Sequence, residues 1–292
     1  MTKTACTWGP PLGPGSVLLL GDSNAGHFAE PVLQAARDSS LGLTMATFGG
    51  CAFADVRIRY DVAFDETGCA NFIQRWTEEV KRTRPAVVVL SNSSAEYVNA
   101  GNGVTFDDPT GRHPPASTAE EKAVAWEAGI EHTIKSWADV GVPTIVVHAV
   151  PHWASFDIRR CPSFRVLLDV ESCGRHLPRA MAERQLRIAK QAEAAAVARV
   201  PEADALDLIA EICTADTCTT NRGQEWMYRD RRASDGAVLV DADEPIQRRH
   251  HVRTRQPRHD GRGLTVIARA MTLINGSSKC RGLRQYKYGP TH

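Results

Sequence analysis

Four short apolar runs rich in β-branched residues, at 17–20, 86–90, 144–149 and, more weakly, 205–209, alternate with helical patterns at 28–37, 70–82, 118–140 and 179–200. The first two runs are apolar at every position rather than at every second one, the third is apolar at 145–147, and each is bounded by Gly, Pro or polar residues. That is the signature of strands buried on both faces, and their alternation with helices makes them neighbours in a parallel sheet. The expected fold class is therefore α/β: a three-layer α/β/α sandwich with a mainly parallel sheet, right-handed crossovers, and ligands at the carboxyl ends of the strands. Residues 99–115, dense in Gly, Asp and Pro, are expected to form a mobile loop close to that edge.

With 292 residues and 42% apolar content, the chain has enough material for one such domain plus extras. No apolar run reaches the roughly eighteen residues of a membrane span, and residues 1–15 lack the basic-then-apolar pattern of a signal peptide. The expected organisation is a linker at 1–15, the α/β domain at 16–230 and an irregular basic tail at 231–292. Residues 1–230 carry 22 Lys/Arg against 29 Asp/Glu, a net −7, whereas 231–292 carry 13 against 5, a net +8. A basic tail is often an arm for nucleic acid or a membrane surface. Here Arg248, Arg249, Arg253, Arg255 and Arg258 have no interleaved aromatic residues and no helix-turn-helix or zinc pattern around them, so no nucleic-acid partner is expected.

The eight cysteines fall in a pattern. Cys51 and Cys69 flank one loop, Cys161 and Cys173 another, and Cys213 and Cys218 a third, with Cys6 and Cys280 near the ends. No histidines stand at zinc-finger spacing, so three local disulfides are the expected reading, with free buried thiols or a metal site as the alternatives. Local bridges imply an oxidising compartment. Since no export signal is visible, the expectation is that a membrane portion normally precedes this domain.

Chemistry is expected where the strands end. The first run leads into Gly21-Asp22-Ser23 and then a helix-like stretch. A serine at the tip of a buried strand, opening a helix, is placed as a nucleophile, with backbone N–H groups of the helix start facing a developing oxyanion. The next loop, Thr47-Phe48-Gly49-Gly50-Cys51, offers the Gly50 N–H without side-chain obstruction. The 86–90 run ends in Ser91-Asn92-Ser93-Ser94, and the Asn92 amide supplies a third donor. No cofactor and no metal are expected at this site.

These blocks, in this order, resemble the SGNH (GDSL-like) hydrolase superfamily, named for its Ser, Gly, Asn and His. Leu20-Gly21-Asp22-Ser23-Asn24-Ala25-Gly26-His27, the Gly50-Cys51 pair, the paired cysteines and Met227-Tyr228-Arg229-Asp230 look more specifically like the SGNH domain attached to membrane acyltransferase-3 proteins. The resemblance spans about 6–230 and implies an SGNH/flavodoxin-like fold in an extracytoplasmic or cell-envelope domain. It implies a serine esterase or O-acyltransferase handling acyl groups, usually acetyl, on cell-surface glycans. Its partners would be a glycan or polysaccharide acceptor and a membrane acyltransferase. Ser23 would be the nucleophile, Gly50 and Asn92 the oxyanion donors, and Asp230 the residue orienting the general base.

The sequence departs from the family pattern in the last block. The family reads Asp-x-x-His there, because a histidine must take the serine proton and an aspartate must hold its tautomer. This chain reads Asp230-Arg231-Arg232-Ala233-Ser234-Asp235-Gly236. Codons for Ala-Ser-Asp-Gly, read one base later, permit His-Leu-Thr, so a one-base insertion after Asp230 would make 231–292 an out-of-frame translation. The Arg-, His- and Pro-rich composition of 247–263 fits that reading.

Each assignment has a plainer competitor. Ser23 serves equally as a helix N-cap, Gly50 as a turn residue, Asn92 as a loop cap and Asp230 as a surface carboxylate. His148 and His152 flank the end of a strand, and only His152 is a candidate to approach the site edge. The functional alternatives are a non-catalytic glycan-binding relic and a basic-tailed interaction module.

Overall fold

The computed structural model describes residues 5–101, 103–107, 114–153, 156, 160–162, 170–223 and 225–228. The chain opens with β1 (Ala5–Trp8), β2 (Ser16–Gly21), α1 (Ser23–His27), α2 (Ala29–Asp38) and β3 (Gly42–Thr47). It continues through β4 (Arg57–Tyr60), α3 (Glu66–Thr83), β5 (Val87–Ser91), α4 (Ser94–Val98), β6 (Val104–Asp107) and α5 (Ala119–Ala138). Then come β7 (Thr144–Val147), β8 (His176–Pro178), α6 (Arg179–Ala198), β9 (Ala203–Leu206), α7 (Ile209–Ile212) and β10 (Thr217–Thr219).

One sheet organises the fold, in the order β1-β3-β2-β5-β7-β9. Its last five strands are parallel, and β1 runs antiparallel along β3. The continuous apolar runs explain this arrangement. Val17 and Leu19 pack into a core with α1, α2 and α7, whereas Leu18 and Leu20 pack on the opposite face with Trp76 and Val80 of α3 and Trp126, Ile130 and Trp137 of α5. All four β2 side chains are fully buried, each burial contributing about 1.5–3 kcal/mol. A strand with two buried faces must lie between helical layers, and three layers result, as the alternation predicts.

The helices carry their own stop and start signals. Thr118 caps α5 through a reciprocal box in which its hydroxyl accepts from Glu121 N at 3.2 Å and Glu121 Oε2 accepts from Thr118 N at 3.1 Å. Asp65 caps α3 by accepting from Gly68 N at 2.8 Å.

The structure adds a parallel strand, β3, where no run was expected, and corrects the expected outline in three further places. Within the stretch expected as a linker, residues 5–8 form the edge strand β1, whose four-residue length and half-exposed pattern give little apolar signal. Within 99–115, residues 104–107 are strand β6, paired antiparallel with β4. The weak run at 205–209 is strand only to Leu206, and Ile209 opens α7; β9 itself is mostly exposed, as an edge strand is. The tail at 231–292 lies outside the described residues. All three expected disulfides are present: Cys51–Cys69, Cys161–Cys173 and Cys213–Cys218. No helix among the described residues is long and apolar enough to cross a membrane.

Candidate active site

The sheet changes winding direction at β2: the chain goes from β2 outward to β3, then back across to β5 on the other side. In such sheets the carboxyl ends of the strands flanking that switch leave a crevice for ligands. Gly21 pairs in register with Thr47 of β3 and with Ser91 of β5. Ser23, Gly50 and Asn92 therefore follow the carboxyl ends of three adjacent strands.

Glycine is required at position 21. A Cβ there would lie 1.8 Å from the Ser91 carbonyl oxygen, and φ is +148°. The missing side chain lets β2 and β5 approach at the strand tip, and the following residues lock the approach. Asn24 Nδ2 donates to Ser91 Oγ at 3.0 Å and to the Asn92 carbonyl at 3.4 Å.

Asp22, not Ser23, is the N-cap of α1: its Oδ1 accepts from Asn24 N at 2.7 Å. Its other oxygen accepts from Ser93 N at 2.9 Å and from the Tyr97 hydroxyl at 2.7 Å. The carboxyl is completely buried. Burial outweighs these three donors and pushes its pKa up to about 6, with the nearby Glu96 charge adding to the rise. Tyr97, buried beside that carboxyl, has its own pKa raised, by desolvation first and by the Asp22 charge second. Ser23 is left as the first helical residue, half-buried, and its hydroxyl makes no hydrogen bond among the described residues. The capping role that competes with catalysis for Ser23 is thus filled by its neighbour.

Gly50 sits in a tight turn closed by Cys51 N donating to the Phe48 carbonyl at 3.0 Å, and its φ of +78° is one that glycine adopts without strain. The Tyr60 hydroxyl donates to the Gly50 carbonyl, so the peptide is gripped from the oxygen side. The turn competitor for Gly50 is accordingly real, and it coexists with an N–H at the strand edge. Asn92 is almost fully buried and holds Phe53: its Oδ1 accepts from Phe53 N at 2.8 Å, and its Nδ2 donates to the Phe53 carbonyl at 3.2 Å. A carboxamide carries two N–H donors, so one remains beyond this pairing.

Asp230 lies outside the described residues, as do the tail histidines. Tyr228, two positions earlier, is fully buried and packs edge-on against Trp153 with ring centroids 5.5 Å apart. His148 Nδ1 meets Glu193 Oε2 at 2.7 Å, with both side chains buried, and His152 Nε2 lies 3.6 Å from Glu96 Oε1. Among the described residues, no group of three or more His, Cys, Asp or Glu side chains is arranged to hold a metal.

Tyr97, Tyr60, Phe53 and Glu96 also stand at or next to these groups. None carries a local signal: Tyr97 meets Asp22 across 75 positions, Phe53 meets Asn92 across 39, and Tyr60 meets Gly50 across 10, outside any helix or strand period.

The fold has a counterpart among solved structures. Among solved structures, the periplasmic domain of the lipopolysaccharide acetyltransferase of Salmonella ser. Paratyphi A is 14% identical, with a TM-score of 0.53 over 78% of this chain and 81% of that one. A GDSL-like lipase from Bacteroides thetaiotaomicron is 12% identical over 77% of this chain and 82% of its own, with a TM-score of 0.40. A comparison with curated proteins finds no match. A family model described as the SGNH domain, fused to AT3 domains, matches residues 2–232. The chain belongs to this SGNH domain family.

Proposed function

We propose that Ser23 is the nucleophile of an acyl-transfer site, and that the chain is an SGNH-type serine esterase or O-acyltransferase domain acting on acetyl or related acyl groups of cell-surface glycans. Ser23 Oγ attacks the ester carbonyl, and the negative charge that develops on the carbonyl oxygen is met by the Ser23 and Gly50 N–H groups and the Asn92 amide. Collapse of the tetrahedral species breaks the ester C–O bond and releases the alcohol, which carries away the proton Ser23 gave up. The acyl-Ser23 intermediate then passes its acyl group to a glycan hydroxyl or to water, whose proton is returned to Ser23. Asp230 serves as the residue that orients the base.

One observation carries this reading. At the switch point of the sheet, the serine next to a committed capping carboxylate has an unengaged hydroxyl, and the turn and amide candidates follow the ends of the two flanking strands. The family and the name of the similar Salmonella domain support an acyl substrate on a surface glycan and a membrane acyltransferase partner. The three disulfides support an extracytoplasmic setting.

Hydrolysis of p-nitrophenyl acetate by the purified chain, compared with Ser23→Ala, tests the proposal. Serine-dependent turnover is expected. The second reading, a non-catalytic glycan-binding relic, is favoured by Ala233 standing where the family has histidine, and equal rates for the two proteins would support it.

A further inference from the structure

The Gly50 turn is flanked by aromatic rings that neither core takes in. Phe48 and Phe64 are half-buried and belong to neither of the two hydrophobic cores. They lie instead against each other, with ring centroids 6.0 Å apart, and Phe64 also lies on Tyr60 at 4.3 Å. Phe72 of α3 backs Phe48 at 5.8 Å and is itself met edge-on by the buried Phe53. The row therefore runs from the core out to solvent, and its outer members stay partly open. Large apolar side chains gathered at the surface, rather than scattered singly, mark a place where something binds.

Three contacts fix the row to the candidate site. Phe48 N donates to the carbonyl of Gly21, two residues before Ser23, at 3.2 Å. The Tyr60 hydroxyl donates to the Gly50 carbonyl. Tyr60 also stands close enough to Tyr97, whose hydroxyl holds Asp22, to contribute to the raised pKa there. A molecule seated on these rings borders the Gly50 turn.

The surroundings define that molecule. The segment Asp61-Val62-Ala63-Phe64-Asp65-Glu66 has no basic side chain, its Asp61 and Asp65 are exposed, and Val62 is 67% exposed. On β4, Arg57 and Arg59 alternate with Tyr60 onto the other face of the strand, where both pair with Asp107. Carboxylates beside open rings suit a ligand with an apolar face and a hydroxylated edge. A pyranose has both: C–H bonds whose partial positive charge is drawn to the negative face of an aromatic ring, and hydroxyls that donate to carboxylates. A fatty acyl chain would desolvate the carboxylates without giving them a donor, and an anionic sugar would be repelled by them. An acetyl group alone is too small to cover the row.

We propose that Phe48, Tyr60 and Phe64 form a subsite for one neutral pyranose ring of the glycan, beside the Gly50 turn. The assignment rests on the reading of the chain as acting on a surface glycan. The rings take one face of the sugar, and Asp61 and Asp65 accept from its hydroxyls.

The test is saturation-transfer NMR on the full chain with the methyl glycosides of glucose, galactose, mannose and rhamnose, with methyl glucuronide and octanoate as competitors. Phe64→Ala and Phe64→Leu are run beside the parent, with thermal melts confirming the fold. Transfer to the ring C–H protons of at least one neutral glycoside is expected, with affinity lowered about 5-fold or more in both variants. Leucine keeps the apolar bulk and removes the aromatic face, so a loss in Phe64→Leu reports on stacking rather than on folding. No transfer to any of the four glycosides, affinity within about twofold of the parent in Phe64→Leu, or displacement of the glycoside by octanoate or methyl glucuronide would overturn the subsite. A dimer in sedimentation that Phe64→Ala dissociates would assign the rings to a second copy of the chain and overturn it as well. Phe64-dependent glycoside binding, combined with equal hydrolysis of p-nitrophenyl acetate by the parent and Ser23→Ala, would remove the nucleophile and leave the subsite standing.

Discussion

Asp22 and Tyr97 meet at the junction of two neighbouring strands: the Tyr97 hydroxyl donates to Asp22 Oδ2 at 2.7 Å, in a site from which water is excluded. The same carboxylate caps α1 and accepts from Ser93 N. One side chain thereby fixes the start of the helix that bears Ser23 to the loop that bears Asn92. The mutual placement of the nucleophile candidate and the amide candidate is set by a carboxyl that takes part in neither role.

Asp22 gives the fold a pH dependence of unusual sign for a carboxylate. In the native chain it holds its proton up to about pH 6, against an ordinary value of 3.8 once exposed. Between those values the native state binds more protons than the unfolded chain, so the stability it contributes is complete below about pH 4 and falls as pH rises through 6. The loss is on the order of 3 kcal/mol. Urea denaturation of the parent and Asp22→Asn between pH 4 and 7 is expected to show this slope in the parent only; equal slopes in both proteins would contradict it.

Asn92 holds Phe53 by two hydrogen bonds, so Asn92→Ala strands a buried donor and a buried acceptor. A loss of about 2–4 kcal/mol in stability is expected, together with a fall of about 10²–10³ in serine-dependent turnover. Asn92→Asp retains the acceptor for Phe53 N and loses the N–H donors. It sets an oxygen against the Phe53 carbonyl in a buried site, so it is expected to melt below the parent as well and to be as inactive as the alanine variant. Melting curves and turnover on the same samples separate the two effects.

Cys51 directly follows Gly50, and its bridge to Cys69 spans 18 positions. The disulfide anchors the Gly50 turn to α3. Replacing both cysteines with alanine is expected to cost about 3 kcal/mol and to lower turnover at temperatures where the protein is still folded, since the turn loses one of its two anchors. Turnover that matches the parent in fully folded double variant would show that Tyr60 alone holds the turn.

Burial of the His148–Glu193 pair makes it a structural element. Glu193→Ala leaves an imidazole enclosed without its carboxylate, and a destabilisation of about 3 kcal/mol is expected, with serine-dependent turnover per folded molecule unchanged. Chemical denaturation and an assay at low temperature check both halves of the statement.

Much of this architecture is legible in the residues. The runs around Leu18-Leu19-Leu20 and Val87-Val88-Val89 are apolar on both faces, and only a central parallel strand needs that. The helical stretches show their periods plainly, and α5 announces its start through Thr118 and Glu121. β1 and β3 are harder to see: the first is a short half-exposed edge, and Leu43-Thr44-Met45-Ala46 mixes polar and weakly β-forming residues. At the site, Ser23, Gly50 and Asn92 are visible because strand tips are where chemistry gathers in such folds. The supports are not, because Tyr97 reaches Asp22, Tyr60 reaches Gly50 and Phe53 reaches Asn92 only after the chain has folded. No local period or spacing encodes contacts of that kind.

The central claim is that Ser23 is an activated hydroxyl facing hydrogen-bond donors. The most direct measurement is intact-mass analysis with peptide mapping after treatment with a fluorophosphonate, which captures an activated serine as a stable phosphonyl ester. A single adduct on Ser23, absent from Ser23→Ala and slowed in Asn92→Asp, is the result this account predicts. A chain that takes up no adduct, or takes it up equally when Ser23 is alanine, would contradict it.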